Sequence, residues 1–289
     1  MFVSADGEIR PDGVRQINYL VLLLLTLVGI LGAMLIKSED DPWRSRVKQT
    51  FLSDPFCYAY QTWFTPKYVL FTSTLIGLFL IIHIRLYDPA SRLFAILYLE
   101  DGIFESLTPI LMLVSMILLA LSVPILWRDS ELRKYRNLLS AIYIILILIF
   151  FLNAMEEISW GQRIFGWETP QTFEGNVQDE TNLHNYFNEY YLLFYRLLVL
   201  FPIVLLISIW SEMSQRFLIF KRTVLPHPSL LGLSLLIALV SFIWYEEQEL
   251  LEELFAVFFL FYSFRIYKCF RIRGREARSE AVEAGSETG

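Results

Sequence analysis

The sequence has little of several things that would point to a familiar chemistry. Of its 289 residues only two are cysteine, Cys57 and Cys269, far apart and not in a CxxC pair. That spacing suggests neither a disulfide framework nor a thiolate metal site, and both read as inert thiols. Three histidines are too few for the histidine set of a membrane di-iron desaturase. HExxH, GxSxG, a Walker loop and GxGxxG ahead of a strand are all missing, and so is any arginine-rich patch for nucleic acid. No internal repeat or pair of broken helices marks a secondary transporter. Charge is sparse too. Asp, Glu, Lys and Arg make up 19% of a chain that is 55% hydrophobic and carries 24 Phe, 15 Tyr and 7 Trp. So much apolar surface with so little charge excludes a soluble single core and gives an integral membrane protein. The net charge of −6 says less than how charge is divided between the two membrane faces.

Crossing roughly 30 Å of hydrocarbon takes about 20 mostly apolar residues. Five segments meet that length: about 17–36, 68–86, 105–127, 137–155 and 191–210. The region from Ser229 to Phe270 is apolar except for "YEEQELLEE" and is twice too long for one helix. It reads as two helices, 229–245 and 248–268, joined by a tight acidic turn. The first segment is too long for a signal-peptide core, its preceding tail is not net positive, and no small-x-small cleavage site follows. The expectation is an all-α, polytopic transmembrane helix bundle of about seven spans, with six or eight as rival counts. Residues 1–270 form its single domain, and 271–289 are a polar, disordered cytoplasmic tail.

Basic residues test that count. With seven spans, Arg10, Arg15, Arg85, Arg92 and Arg163 fall on one side, which makes five. Eighteen fall on the other: Lys37, Arg44, Arg46, Lys48, Lys67, Arg128, Arg133, Lys134, Arg136, Arg216, Lys221, Arg222, Arg265, Lys268, Arg271, Arg273, Arg275 and Arg278. A wrong count would scramble the asymmetry, so the positive-inside rule gives an outer N-terminus and a cytoplasmic C-terminus in a multi-pass cell-membrane protein.

Four distant segments then deliver acids and amides to the outer side: "LEDGIFE", "AMEEISWGQR", "NVQDETNLHN" and "YEEQELLEE". Carboxylates at a membrane edge are expensive and need partners. In a helix continuing past the fourth span, Glu156, Trp160 and Arg163 share a face, so a Glu156 to Arg163 ion pair beside an interfacial Trp is sterically reasonable. Glu157 points elsewhere and is the better functional candidate. Glu180 and His184 stand one helical turn apart, a spacing that can ligate one metal ion, although a lone His at a helix start is more often hydrogen-bonded structure. Glu246, Glu249 and Glu253 form a stripe at i, i+3, i+7. It is either a solvated helix start or a set of carboxylates facing the bundle and sharing protons or a cation.

The run "EEISWGQRIFG.ETP", followed by "N.Q.ETNLHN" and a late "EE..EL", resembles a group of prokaryotic polytopic membrane proteins over roughly 101–260. The resemblance implies the multi-span fold but no activity, so it transfers no catalytic residue. The residues themselves suggest a membrane-embedded enzyme acting on a lipid or lipid-linked substrate. Glu157, Glu249 and Glu253 are its catalytic candidates, and Trp160, Gln162, Arg163 and Asn185 its substrate contacts. Glu157, Glu180 and His184 are the candidate ligands of a divalent metal ion. Two carboxylates doing glycosyl chemistry, with Trp160 and Trp167 stacking sugar rings, would be the metal-free variant. A proton- or cation-coupled transporter and a non-catalytic scaffold or accessory subunit are the other classes, and nucleic acid is not an expected partner.

Overall fold

The computed structural model describes residues 66–86, 102–171, 181, 194–195, 197–203, 223–243 and 248–286. All regular structure among them is helical: α1 (Pro66–Leu86), α2 (Ile103–Arg128), α3 (Arg136–Glu157), the single turn α4 (Gln162–Phe165), α5 (Leu231–Ile243) and α6 (Gln248–Ser286). Short 3-10 turns at Ser159–Gly161, Leu198–Leu200 and Pro228–Leu230 accompany them.

α2 shows why these segments pack as they do. Its buried positions include Thr108, Met112, Ser115, Leu119, Ser122 and Leu126, spaced alternately four and three apart. That repeat keeps one seam facing the neighbouring helices. Every seventh residue in it is a small hydroxyl, which lets backbones approach closely. Ser115 and Ser122 donate back to the carbonyls of Leu111 and Leu118 at 2.7 and 2.8 Å, so no donor is stranded.

A tight hairpin joins α2 to α3. Trp127 Nε1 donates to Ser140 Oγ at 2.9 Å, and the Arg136 guanidinium lies 4.6 Å from the centre of the Trp127 ring. α3 runs antiparallel to α6, with Tyr143 against Phe270 and Phe150 against Phe259 at ring separations of 6.1 and 4.7 Å. Among the described elements α6 is the central helix. Residues 253–258 are all buried, so this part of the helix has neighbours on every side. Buried Tyr143 and Tyr262 donate to the successive carbonyls of Thr223 and Val224 at 2.6 and 2.8 Å, which fixes the approach to α5. α1 and α5 meet through glycine: a Cβ on Gly232 would stand 2.1 Å from Thr74 Oγ1.

α2 and α3 are long and apolar enough to cross a membrane, and only 28% of the most apolar stretch in each is buried. The core helix of a soluble protein is mostly buried, whereas α2 and α3 leave residues such as Ile110, Ile117, Leu121, Ile145 and Leu148 exposed. α1 and α5 contain shorter apolar helices.

Two expectations change. α6 does not end near residue 268 but continues helically to Ser286 through the stretch read as a disordered tail. That stretch, "RIRGREARSEAVEAGS", is rich in Ala, Glu and Arg, which favour helix, and Arg273 ties it to the α2–α3 hairpin. Cys269 is fully buried and disulfide-bonded, so it is not the inert thiol expected. Cys57 lies outside the described residues.

Candidate functional site

The start of α6 carries the acids Glu249, Glu252 and Glu253 on two successive turns. Glu253 is the most enclosed, with 6% of its surface exposed and Oε2 lacking any hydrogen-bond partner. Burying a carboxyl without satisfying it is unfavourable, and folding alone gives no reason to place one there. Glu252, one residue before, is partnered. Its Oε1 accepts from the phenol of Tyr195, and the Tyr195 carbonyl accepts from the hydroxyl of Ser241 at the end of α5. Tyr195 is 4% exposed and Ser241 1%. One tyrosine therefore joins the end of α5, the start of α6 and the segment at 194–195. Glu249, in the first turn of α6, is exposed and has interactions of its own.

Glu156 and Glu157 reach the same end of the bundle from α3, because α3 is antiparallel to α6. They occupy the last helical turn, where the helix dipole is unfavourable to anions by roughly 0.3–1 kcal/mol each. The expectation that the helix continues through Trp160 to Arg163 is overturned. α3 stops at Glu157, and Ser159, Trp160 and Gly161 take left-handed φ values of 48°, 54° and 89°. Trp160 is folded back by this reversal and donates from Nε1 to Glu156 Oε1 at 2.7 Å. Glu156 thus accepts an indole N–H, and the Arg163 side chain expected to pair with it lies outside the described residues. Glu157 is half-buried and also engaged.

Gln162 has a structural task. Its Nε2 donates to Thr169 Oγ1 at 2.8 Å, and its Oε1 accepts from the Thr181 backbone N–H at 2.7 Å, so it clamps the loop to the segment that precedes the fifth expected span. The Arg163 backbone lies in α4. Its side chain, and all of Glu180, His184 and Asn185, lie outside the described residues. Among the described residues no group of three His, Cys, Asp or Glu is placed to hold a metal ion.

No family model, curated protein or solved structure matches the chain. Its site therefore rests on chemistry alone. At one end of an apolar bundle stand a buried carboxyl with a free oxygen, a carboxylate bonded to a buried tyrosine, and a carboxylate pair at a strained helix terminus. Sequence reasoning passed over Tyr195 and Ser241, and left Glu252 as one more acid of "YEEQELLEE". Tyr195 carries the only signal that could have flagged them, a phenol one helical turn into an expected span whose flanks are acidic.

Proposed function

We propose that the chain is a multi-pass cell-membrane protein of about seven spans whose acidic end faces outward and acts on a lipid or lipid-linked substrate. The observation that carries this is Glu253: an enclosed carboxyl with an unpartnered oxygen, beside a Glu252–Tyr195 pair, at the end of a bundle whose α2 and α3 present apolar surface outward. Such a carboxyl serves as general acid or base once a substrate headgroup reaches it. Glu157 and Glu249 line the same end as further catalytic groups, and Trp160 and Arg163 meet the headgroup. In this reading a divalent cation held by Glu157, Glu180 and His184 supplies Lewis-acid assistance. The orientation rests on the division of eighteen basic residues against five.

A second reading is favoured by one observation. Ser234 on α5 and Ser263 on α6 are fully buried with hydroxyls that have no partner, and such groups are found along proton or cation paths. One comparison separates the two readings. Lipid extracts from cells producing the parent protein should differ in at least one lipid or lipid-linked species from extracts of cells producing Glu253→Gln. Identical extracts, together with Glu253-dependent proton flux into proteoliposomes, would favour transport. Metal analysis of the purified protein tests the cation.

A further inference from the structure

Residues 158–167 leave the bundle in a shape that takes work to hold. Ser159 and Trp160 are both in the left-handed region, at φ 48° and 54°, and each such non-glycine residue costs on the order of 1 kcal/mol. The reversal continues through Gly161 at φ 89°, and a second left-handed glycine, Gly166 at φ 66°, ends α4. The result is that Phe165 and Trp167 fold back over Gly161. A Cβ on that glycine would lie 3.1 Å from the Phe165 ring and 3.3 Å from Trp167. The two rings stack on each other, 5.4 Å apart and 19° from parallel. Gln162 holds the base of the turn through Thr169 and Thr181.

This arrangement produces an apolar knob open to its surroundings: Ile164 is 65% exposed, Phe165 73% and Trp167 44%. Strain spent on exposing three large apolar side chains makes sense only if something other than water covers them. In the chain the knob comes just after α3, whose last turns expose Leu148, Ile149, Phe151 and Leu152 on an apolar, span-length helix. Stacked aromatic rings just past the end of such a helix sit at the depth where headgroups meet acyl chains, the level that tryptophan prefers.

We propose that residues 161–167 form an interfacial hook, seated in the headgroup-to-acyl boundary of the leaflet at the acidic end of the bundle, with membrane lipid as its occupant. The hook holds the reversed loop against the membrane surface and so keeps Glu156 and Glu157 at headgroup level. Its place immediately after an apolar, span-length helix whose last turns are exposed selects lipid over a protein partner. The inference rests on the reading that the chain crosses a membrane, and the test separates the two.

The protein is placed in vesicles of lipid brominated either near the headgroup or near the chain ends, and the emission of Trp167 is taken as the difference between the parent and Trp167→Phe. A second variant, Leu148→Trp, reports on the middle of α3. The hook predicts that Trp167 loses most of its emission to lipid brominated near the headgroup and little to lipid brominated near the chain ends, while the added Trp at 148 is quenched mainly by the deep label. Quenching of residue 148 but not of Trp167 overturns the hook and leaves the membrane reading intact. If iodide in water also fails to quench Trp167, the cover is protein, and the hook is equally wrong. Absence of quenching at both sites removes the membrane reading and the hook with it.

Discussion

Replacing Asp129 should damage the protein far more than replacing Glu131, although both carboxylates bind the same arginine. Arg273 Nε donates to Asp129 Oδ2 at 2.7 Å and Nη2 to Asp129 Oδ1 at 3.2 Å, while Nη2 also reaches Glu131 Oε2 at 2.7 Å. The Arg273 and Asp129 side chains are 12% and 9% exposed, whereas Glu131 is 76% exposed. Asp129 also accepts the backbone N–H groups of Glu131 and Leu132, which shapes the α2–α3 turn. Breaking a fully buried pair from one side costs about 3–5 kcal/mol. This pair sits at a helix end with Glu131 still in reach, so Asp129→Asn should cost roughly 2–3 kcal/mol and Glu131→Gln less than about 0.5 kcal/mol. For a chain of this size that separates the melting temperatures by roughly 5 °C. Burial alone would lower the pKa of Arg273, but hydrogen bonds and charge from Asp129 and Glu131 outweigh it and hold the guanidinium above its ordinary value. A raised value means that this stability is fully present below the ordinary arginine range and lost only in strongly alkaline solution, so neutral pH changes should not move the difference. Thermal melts in detergent micelles give the comparison. Equal small shifts for both variants would refute the clamp. So would a double variant Asp129→Asn/Arg273→Gln that melts no higher than Asp129→Asn, since removing both charges should recover part of the loss.

Other outcomes follow from the same geometry. Gly161→Ala should cost about 1–3 kcal/mol, because it adds a crowded Cβ to a left-handed backbone, whereas Gly166→Ala, with nothing within 4 Å of its added Cβ, should cost about 1 kcal/mol; chemical denaturation of the two variants checks the order. Glu253→Gln should leave the melting temperature unchanged or raise it while abolishing lipid conversion, since the carboxyl is buried without a partner for Oε2; a large fall in melting temperature would make Glu253 structural. Tyr195→Phe removes the phenol that Glu252 accepts from and should lower stability by about 1–3 kcal/mol, measurable by the same melts.

The helices were legible because their signal is compositional and long. The expected spans 105–127 and 137–155 became Ile103–Arg128 and Arg136–Glu157, and the split of 229–268 into two helices around the acidic stretch corresponds to α5 and α6. Direction followed as well, since a short polar hairpin at 129–135 forces α2 and α3 antiparallel. What could not be read is where helices stop for tertiary reasons. Nothing in "EEISWGQR" except Gly161 opposes helix, yet the chain reverses there through two non-glycine left-handed residues that only surrounding contacts can hold. Of the expected site, the structure places Glu156 and Glu157 at the end of α3 and Glu249, Glu252 and Glu253 at the start of α6. Which acid is enclosed, which is bonded and to what depends on Tyr195 and Ser241, residues whose types are common in membrane helices and carry no periodic signal. Expected ligands Glu180 and His184 lie outside the described residues.

The most direct test of the account concerns the two ends of the bundle. Glu249 and Ser130 are both exposed, Glu249 at the acidic end and Ser130 in the α2–α3 hairpin beside the Arg273 clamp. Single cysteines at these positions, treated with a membrane-impermeant maleimide, should behave oppositely: Glu249→Cys labels in intact cells, and Ser130→Cys labels only after the membrane is opened. Labelling of both in intact cells would contradict a bundle that spans the membrane. Labelling of Ser130→Cys alone would place the acidic site in the cytoplasm, against the division of basic residues.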